Sequence, residues 1–184
     1  MKKALVISGG GSKGAFAGGV AQYLMTKEKR EYDLFIGTST GSLMVSHLAL
    51  GMLDELKHLY TNVNQETIFS NNPFVIKKVA GEKVVNINHF NTLWNLLLKR
   101  KTFGESKNLR TLIKNNITKE MYENINNGDK EIVVTVSNLS ANQIEYKSNK
   151  DCTYEDFCDW IWGSCNYVPF MSLLEKNKQQ YADG

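Results

Sequence analysis

Three cysteines, two prolines and three histidines in 184 residues leave little material for several familiar chemistries. Cys152, Cys158 and Cys165 are odd in number and form no C-x-x-C pair, which excludes a disulfide framework and a dithiol redox site; free thiols in a reducing compartment are expected. With His47, His58 and His89 they complete no zinc-binding spacing, so no metal and no other cofactor is implied. A run of about 18 apolar residues is missing too, and with it any expectation of a membrane-spanning helix. The opening MKKALVI has too short an apolar stretch for a secretory leader and runs into a glycine turn instead of a cleavage site. A cytoplasmic location is expected, with peripheral contact at a membrane as an option. Charge of one sign is scarce: the formal net charge is +3, too small to point to nucleic acid. Oligomeric state is not legible. Basic clusters occur at Lys27–Arg30 and Lys99–Lys101. A solvated face is the favoured reading of both; the second follows the apolar run Leu93–Leu98, so anionic lipid is the other reading there.

What the chain does have is 42% hydrophobic residues, enough for a core, and residues 1–184 are expected to form one domain. Ala4–Ser8 is a continuous apolar run and predicts a fully buried strand, turned by Gly9, Gly10 and Gly11. Gly14 to about Glu28 predicts a helix with Phe16, Val20, Tyr23 and Leu24 on one face. Asp33–Ile36 is a second strand, followed by a helix through Leu50. This β-α-β-α start favours an α/β fold, a mainly parallel sheet covered by helices. Met52–Tyr60 is helical in pattern. Residues 62–92 are Asn-rich and irregular. Helices are expected around Thr92–Arg100, Lys107–Asn115 and Thr118–Asn126, then a strand pair over Glu131–Ser137 and Gln143–Ser148. Thr153 caps a helix carrying Phe157, Trp160 and Ile161, and a last strand begins near Gln179.

Two glycine-rich turns carry the chemistry. The second strand runs into Gly37-Thr38-Ser39-Thr40-Gly41 and then a helix, the context of a nucleophile elbow. Glycines two residues either side of Ser39 allow a turn too sharp for side chains, and the following helix aims its amides at the serine oxygen. The first turn, Gly9-Gly10-Gly11-Ser12-Lys13-Gly14, satisfies G-x-G-x-x-G between a strand and a helix, so a nucleotide-binding module is an alternative. That reading lacks the acidic residue it needs at the end of the second strand; Asp33 lies at its start. What remains is a nest of backbone amides suited to an anion, including a transient oxyanion. A serine needs a base. His47 lies eight residues along the same helix, about 12 Å of rise, and is expected to point away; His58 and His89 lie in segments without a catalytic signature. Asp183, just past the last strand, is the candidate that remains. Its ordinary pKa near 4 makes it a weak base unless desolvation raises it.

The three motifs, GGGSKG at 9–14, GTSTG at 37–41 and Asp183-Gly184, in this order and across nearly the whole chain, resemble the signatures of the patatin-like phospholipase family. The segment Trp162–Phe170, with its small residues and Pro169, is similar to the family's approach to its final aspartate. The resemblance implies a three-layer α/β/α fold and hydrolysis of acyl esters of lipids by a Ser-Asp dyad. Ser39 would be the nucleophile and Asp183 the general base. Amides around Gly10 and Gly11, within the Gly9–Gly14 loop, would form the oxyanion hole, with Ser12 in that loop and Lys13 helping to orient a head group. Gly37, Thr38, Thr40 and Gly41 would shape the elbow. The substrate would be a lipid or small ester. The family's last motif continues past Asp-Gly, where this sequence stops, so the domain is expected to be incomplete at its C-terminus; a catalytically silent lipid-binding fragment is a further alternative.

Overall fold

The computed structural model describes residues 2–79 and 81–184; Met1, at the start of the expected domain, and Ala80, in its irregular middle, lie outside them. In chain order the elements are β1 (Ala4–Ile7), α1 (Gly14–Thr26), β2 (Leu34–Thr38), α2 (Thr40–Leu50), α3 (Leu53–Asn62), α4 (Gln65–Ile68), β3 (Phe74–Val79), β4 (Glu82–Ile87), α5 (His89–Leu97), α6 (Lys107–Asn116), α7 (Lys119–Asn127), β5 (Glu131–Asn138), β6 (Gln143–Ser148), α8 (Tyr154–Ser164), β7 (Leu174–Lys176) and β8 (Gln179–Asp183). Local chemistry sets several boundaries. The Thr118 hydroxyl accepts from the Met121 amide to start α7, and Thr153 does the same for Asp156 in α8. Gly51, in the left-handed region at φ 72°, ends α2. No helix among the described residues is long and apolar enough to cross a membrane.

The fold is the expected mixed α/β one, a central, mainly parallel sheet with flanking helices. Strands β1, β2 and β5 pair in parallel; β8 is antiparallel to β5 and β7 antiparallel to β8, so β7 runs with the first three. Strand β5 organises the rest. Its residues Val133–Thr135 pair with both β2 and β6, and Val136–Asn138 with both β6 and β8. A strand has two edges, so β2 and β8 must occupy successive stretches of the same edge and approach each other end to end. Phe35, Ile132, Val134 and Val136 share one sheet face by register and are fully buried beneath α2 and α8. On the opposite face Val6, Ile144 and Tyr146 are exposed.

Two expectations change. Strand β1 is the sheet's edge and is not fully buried: Ile7 faces the core, while Val6 is 65% exposed. A continuous apolar run says that side chains are apolar, not that both faces are covered. In α1 the expected face is mostly turned outward, with Leu24 half-buried. Phe16 is 80% exposed and Val20 and Tyr23 are also exposed, whereas Gly14, Ala17, Gly18 and Ala21 form the inward stripe. A side chain at Gly14 would strike Thr40, so the two helices meet through small residues and the large ones are pushed outward. The middle segment is less irregular than expected, since it holds α4, the β3–β4 hairpin and α5.

Candidate active site

Ser39 occupies the single residue between β2 and α2, with φ 52° and ψ −123°. A non-glycine residue there is strained, which is tolerated only where the surroundings hold it. The turn is tight enough that a Cβ on Gly37 would lie 2.7 Å from the Gly41 carbonyl carbon, and one on Gly41 would run into the Ile7 carbonyl of β1. Both flanking glycines are therefore demanded by sterics. Three groups fasten the turn: the Ser39 amide donates to Ser164 Oγ (2.9 Å), and its carbonyl accepts from Ser42 Oγ (2.6 Å) and Cys165 Sγ (3.1 Å).

Asp183 arrives from the opposite direction. It is the last residue of β8 and pairs with Val136, one step beyond Thr135, which pairs with Thr38. The end-to-end approach of β2 and β8 along β5 thus sets the serine and the carboxylate side by side. Ser39 Oγ donates to Asp183 Oδ2 at 2.8 Å. The Asp183 amide donates to the Asn166 carbonyl at 3.0 Å. Ser164, the last residue of α8, and Cys165 and Asn166 just after it therefore hold both partners of this hydrogen bond. Their part was not legible in the sequence beyond the small-residue character of Trp162–Phe170.

The first glycine loop closes over the same point. A Cβ on Gly9 would lie 2.8 Å from that of Ser39, and Thr40 Oγ1 donates to the Gly11 carbonyl at 3.1 Å. Among the described residues no acceptor meets the amides of Gly10 and Gly11. Below the loop lies a cavity of about 1170 Å³. Gly9, Gly10, Gly11, Ser12, Thr38, Ser39, Thr40 and Asp183 belong to its lining; Leu43, Leu56, Leu59, Ile68, Leu112, Ile113 and Met171 make much of the rest apolar. Gly14, Gly37 and Gly41 lie outside the lining and act through packing. Lys13 is exposed and does not line the cavity.

Residues 5–184 match the family described as Patatin-like phospholipase. The chain belongs to the patatin-like phospholipase family. Among solved structures it is similar to VipD from Legionella pneumophila, with a TM-score of 0.63 and 17% sequence identity. All of this chain and 46% of VipD are covered, so the chain spans less than half that relative's length. At this identity the likeness concerns fold. No curated protein sequence matches the chain.

Electrostatics in this patatin-like site follow burial. Desolvation raises the Asp183 carboxyl above its ordinary pKa, opposed by the hydrogen bond from Ser39 and by the Gly184 amide. Burial pushes the Cys165 thiol up to about 12, so it stays protonated and able to donate to the Ser39 carbonyl. His47 is buried and lowered by desolvation, with Glu55 opposing, and is thereby kept neutral near pH 7. It lines the same cavity as Ser39, which the sequence did not lead one to expect, while the serine's hydroxyl partner is Asp183. Tyr167, Val168 and Met171, between α8 and β7, also line the cavity, while Leu174 of β7 lies in the core.

Proposed function

We propose that the chain is a serine acyl hydrolase acting on carboxylic esters of lipids through a Ser39-Asp183 dyad. The observation that carries the reading is the 2.8 Å hydrogen bond from Ser39 Oγ to Asp183, both of which line a largely apolar cavity. Desolvation makes the Asp183 carboxylate a better base than one in water, and the Ser39 proton is already directed at it. As Oγ attacks the ester carbonyl, that proton passes to Asp183. The new oxyanion is received by the Gly10 and Gly11 amides, which have no other acceptor among the described residues. The tetrahedral adduct collapses to an acyl-serine, and Asp183 returns the proton to the departing alcohol. Water then attacks the acyl-serine with Asp183 again as base, and as the C–Oγ bond breaks Asp183 returns that proton to Ser39 Oγ, releasing the fatty acid and restoring the free enzyme. The apolar wall suits an acyl chain, whose burial contributes about 0.8 kcal/mol per CH₂. Lys13, outside the cavity lining, is left as a solvent-facing lysine at the start of α1.

The nucleotide reading of the glycine loop has no specific support. Asp33 Oδ2 accepts from the Lys3 amide at 2.7 Å, far along β2 from the loop. The test is Ser39→Ala in the full-length protein, assayed with p-nitrophenyl esters and labelled with a fluorophosphonate. Loss of both hydrolysis and labelling, with unchanged folding, is expected; retained turnover refutes the assignment.

A further inference from the structure

Helix α5 is built inside out. Asn91 and Asn95, one turn apart, face the protein: Asn91 Nδ2 donates to Asn71 Oδ1 at 2.7 Å, Asn95 Nδ2 donates to the Phe103 carbonyl at 2.6 Å, and Asn95 is fully buried. The Asn88 side chain caps the helix by accepting from the Asn91 amide. The other stripe, Phe90, Leu93, Trp94 and Leu97, has the i, i+3, i+4, i+7 spacing of a core-facing surface, yet these residues are 79, 56, 54 and 67% exposed. A helix on a water-facing surface carries the two stripes the other way round.

The neighbouring hairpin has the same character. Its register puts the exposed Ile76 beside Val85 on one face, and Lys78 beside Lys83 on that same face nearer the turn. Charge is concentrated here. Residues 74–101 hold six cations (Lys77, Lys78, Lys83, Lys99, Arg100 and Lys101) against Glu82 alone, a formal +5 where the whole chain carries +3. Arg100 and Lys101 have carboxylate partners in Glu105 and Glu175; the other four make no ion pair among the described residues. The hairpin's root is continuous with the cavity. Phe74 stacks on Phe170 (5.2 Å between centroids) and Phe170 on Tyr167 (6.0 Å), which lines the cavity.

We propose that hairpin β3–β4 and helix α5 form a docking surface for an anionic lipid bilayer. Phe90, Leu93, Trp94 and Leu97 enter the boundary between headgroups and acyl chains, while the lysines on either side meet lipid phosphates. A protein partner is the poorer fit, because protein interfaces are depleted in lysine at their centres, whereas an exposed tryptophan and leucine stripe flanked by lysines suits a lipid interface. The inference goes beyond the hydrolase reading and does not depend on Ser39 being a nucleophile.

The test is co-sedimentation of the intact protein with vesicles of ether-linked phosphatidylcholine, with and without roughly one-third ether-linked phosphatidylglycerol. Ether lipids contain no carboxylic ester, so binding is read apart from hydrolysis, and a protein that binds without hydrolysing esters overturns the hydrolase reading alone. Binding to the anionic vesicles, weakened by salt, is expected. Trp160 and Trp162 are buried, so a blue shift of tryptophan emission on binding reports Trp94, and Trp94→Phe should abolish the shift. Phe90→Ser combined with Leu93→Ser and Leu97→Ser should weaken partitioning at least about tenfold. Neutralising Lys77, Lys78 and Lys83 to Gln should cost roughly fivefold per lysine on anionic vesicles. The altered side chains are exposed, so thermal melting should stay unchanged. Absence of binding to anionic vesicles, or equal binding by both combined variants, overturns the proposal. So does a solution dimer that the serine variant dissociates while vesicle binding is absent, which would assign the face to a second copy of the chain.

Discussion

Replacing Asp183 by asparagine keeps the size of the side chain and an oxygen able to accept from Ser39, but removes the charge and the proton acceptor. A positioned general base contributes typically 10²–10⁴ in rate, so kcat for a p-nitrophenyl ester should fall by that factor, about 2.7–5.4 kcal/mol of transition-state stabilisation. Stability should move the other way. Burial raises the folded-state pKa of Asp183, so the folded protein holds this proton more tightly than the unfolded chain does. The resulting stabilisation is fully present below the unfolded pKa and is lost as pH rises through the folded one; at neutral pH the ionised carboxylate is a net cost. The asparagine variant escapes that cost. It should melt at a higher temperature than the wild type at neutral pH, and the difference should shrink as pH falls through the carboxylate range. The wild type's kcat/KM should decline on the acid side around a midpoint above the ordinary aspartate value near 4. Steady-state kinetics and thermal melts of the two proteins across pH give both readouts. A variant that stays within about fivefold of wild-type activity refutes the role of the base, whereas a lower melting temperature at neutral pH refutes the desolvation argument.

Two further substitutions probe the elbow and the cavity. Gly41→Ala drives a methyl group into the Ile7 carbonyl, so β1 or the elbow must move; a loss of about 1–3 kcal/mol or more in chemical denaturation is expected, together with lost activity, and a variant as stable as wild type would show that the contact can relax. Leu112→Trp narrows the apolar lining of the cavity; hydrolysis of acetate esters should persist while long-chain esters lose ground in kcat/KM, and an unchanged chain-length profile would place the acyl chain elsewhere.

The legible parts of this chain are those where a residue type is dictated by its own backbone. Gly37 and Gly41 can be nothing larger, and Thr118 and Thr153 announce their helices by capping them. Helices α6, α7 and α8 and strands β5, β6 and β8 fall close to the expected ranges for the same local reasons. Apolar pattern by itself did not say which side is covered. In α1 the small residues pack inward because Gly14 meets Thr40, and in α5 hydrogen bonds from Asn91 and Asn95 turn the apolar stripe outward. The β3–β4 hairpin was hidden because its lysines break the alternation of apolar and polar residues that marks a half-buried strand.

Ser39 and Asp183 lie 144 residues apart, and the sequence alone determined that one stands on a tight strand-to-helix turn and the other at the end of a last strand. Those are local facts, carried by glycines and by an apolar run. That the two meet was decided only by the tertiary structure. β2 and β8 share one edge of β5 and run toward each other, so the nucleophile's turn and the carboxylate reach the same point, with Ser164, Cys165 and Asn166 holding both. Strand pairing depends on partners distant in the chain, and burial, which raises the Asp183 pKa, is a property of the assembled core and not of any one segment.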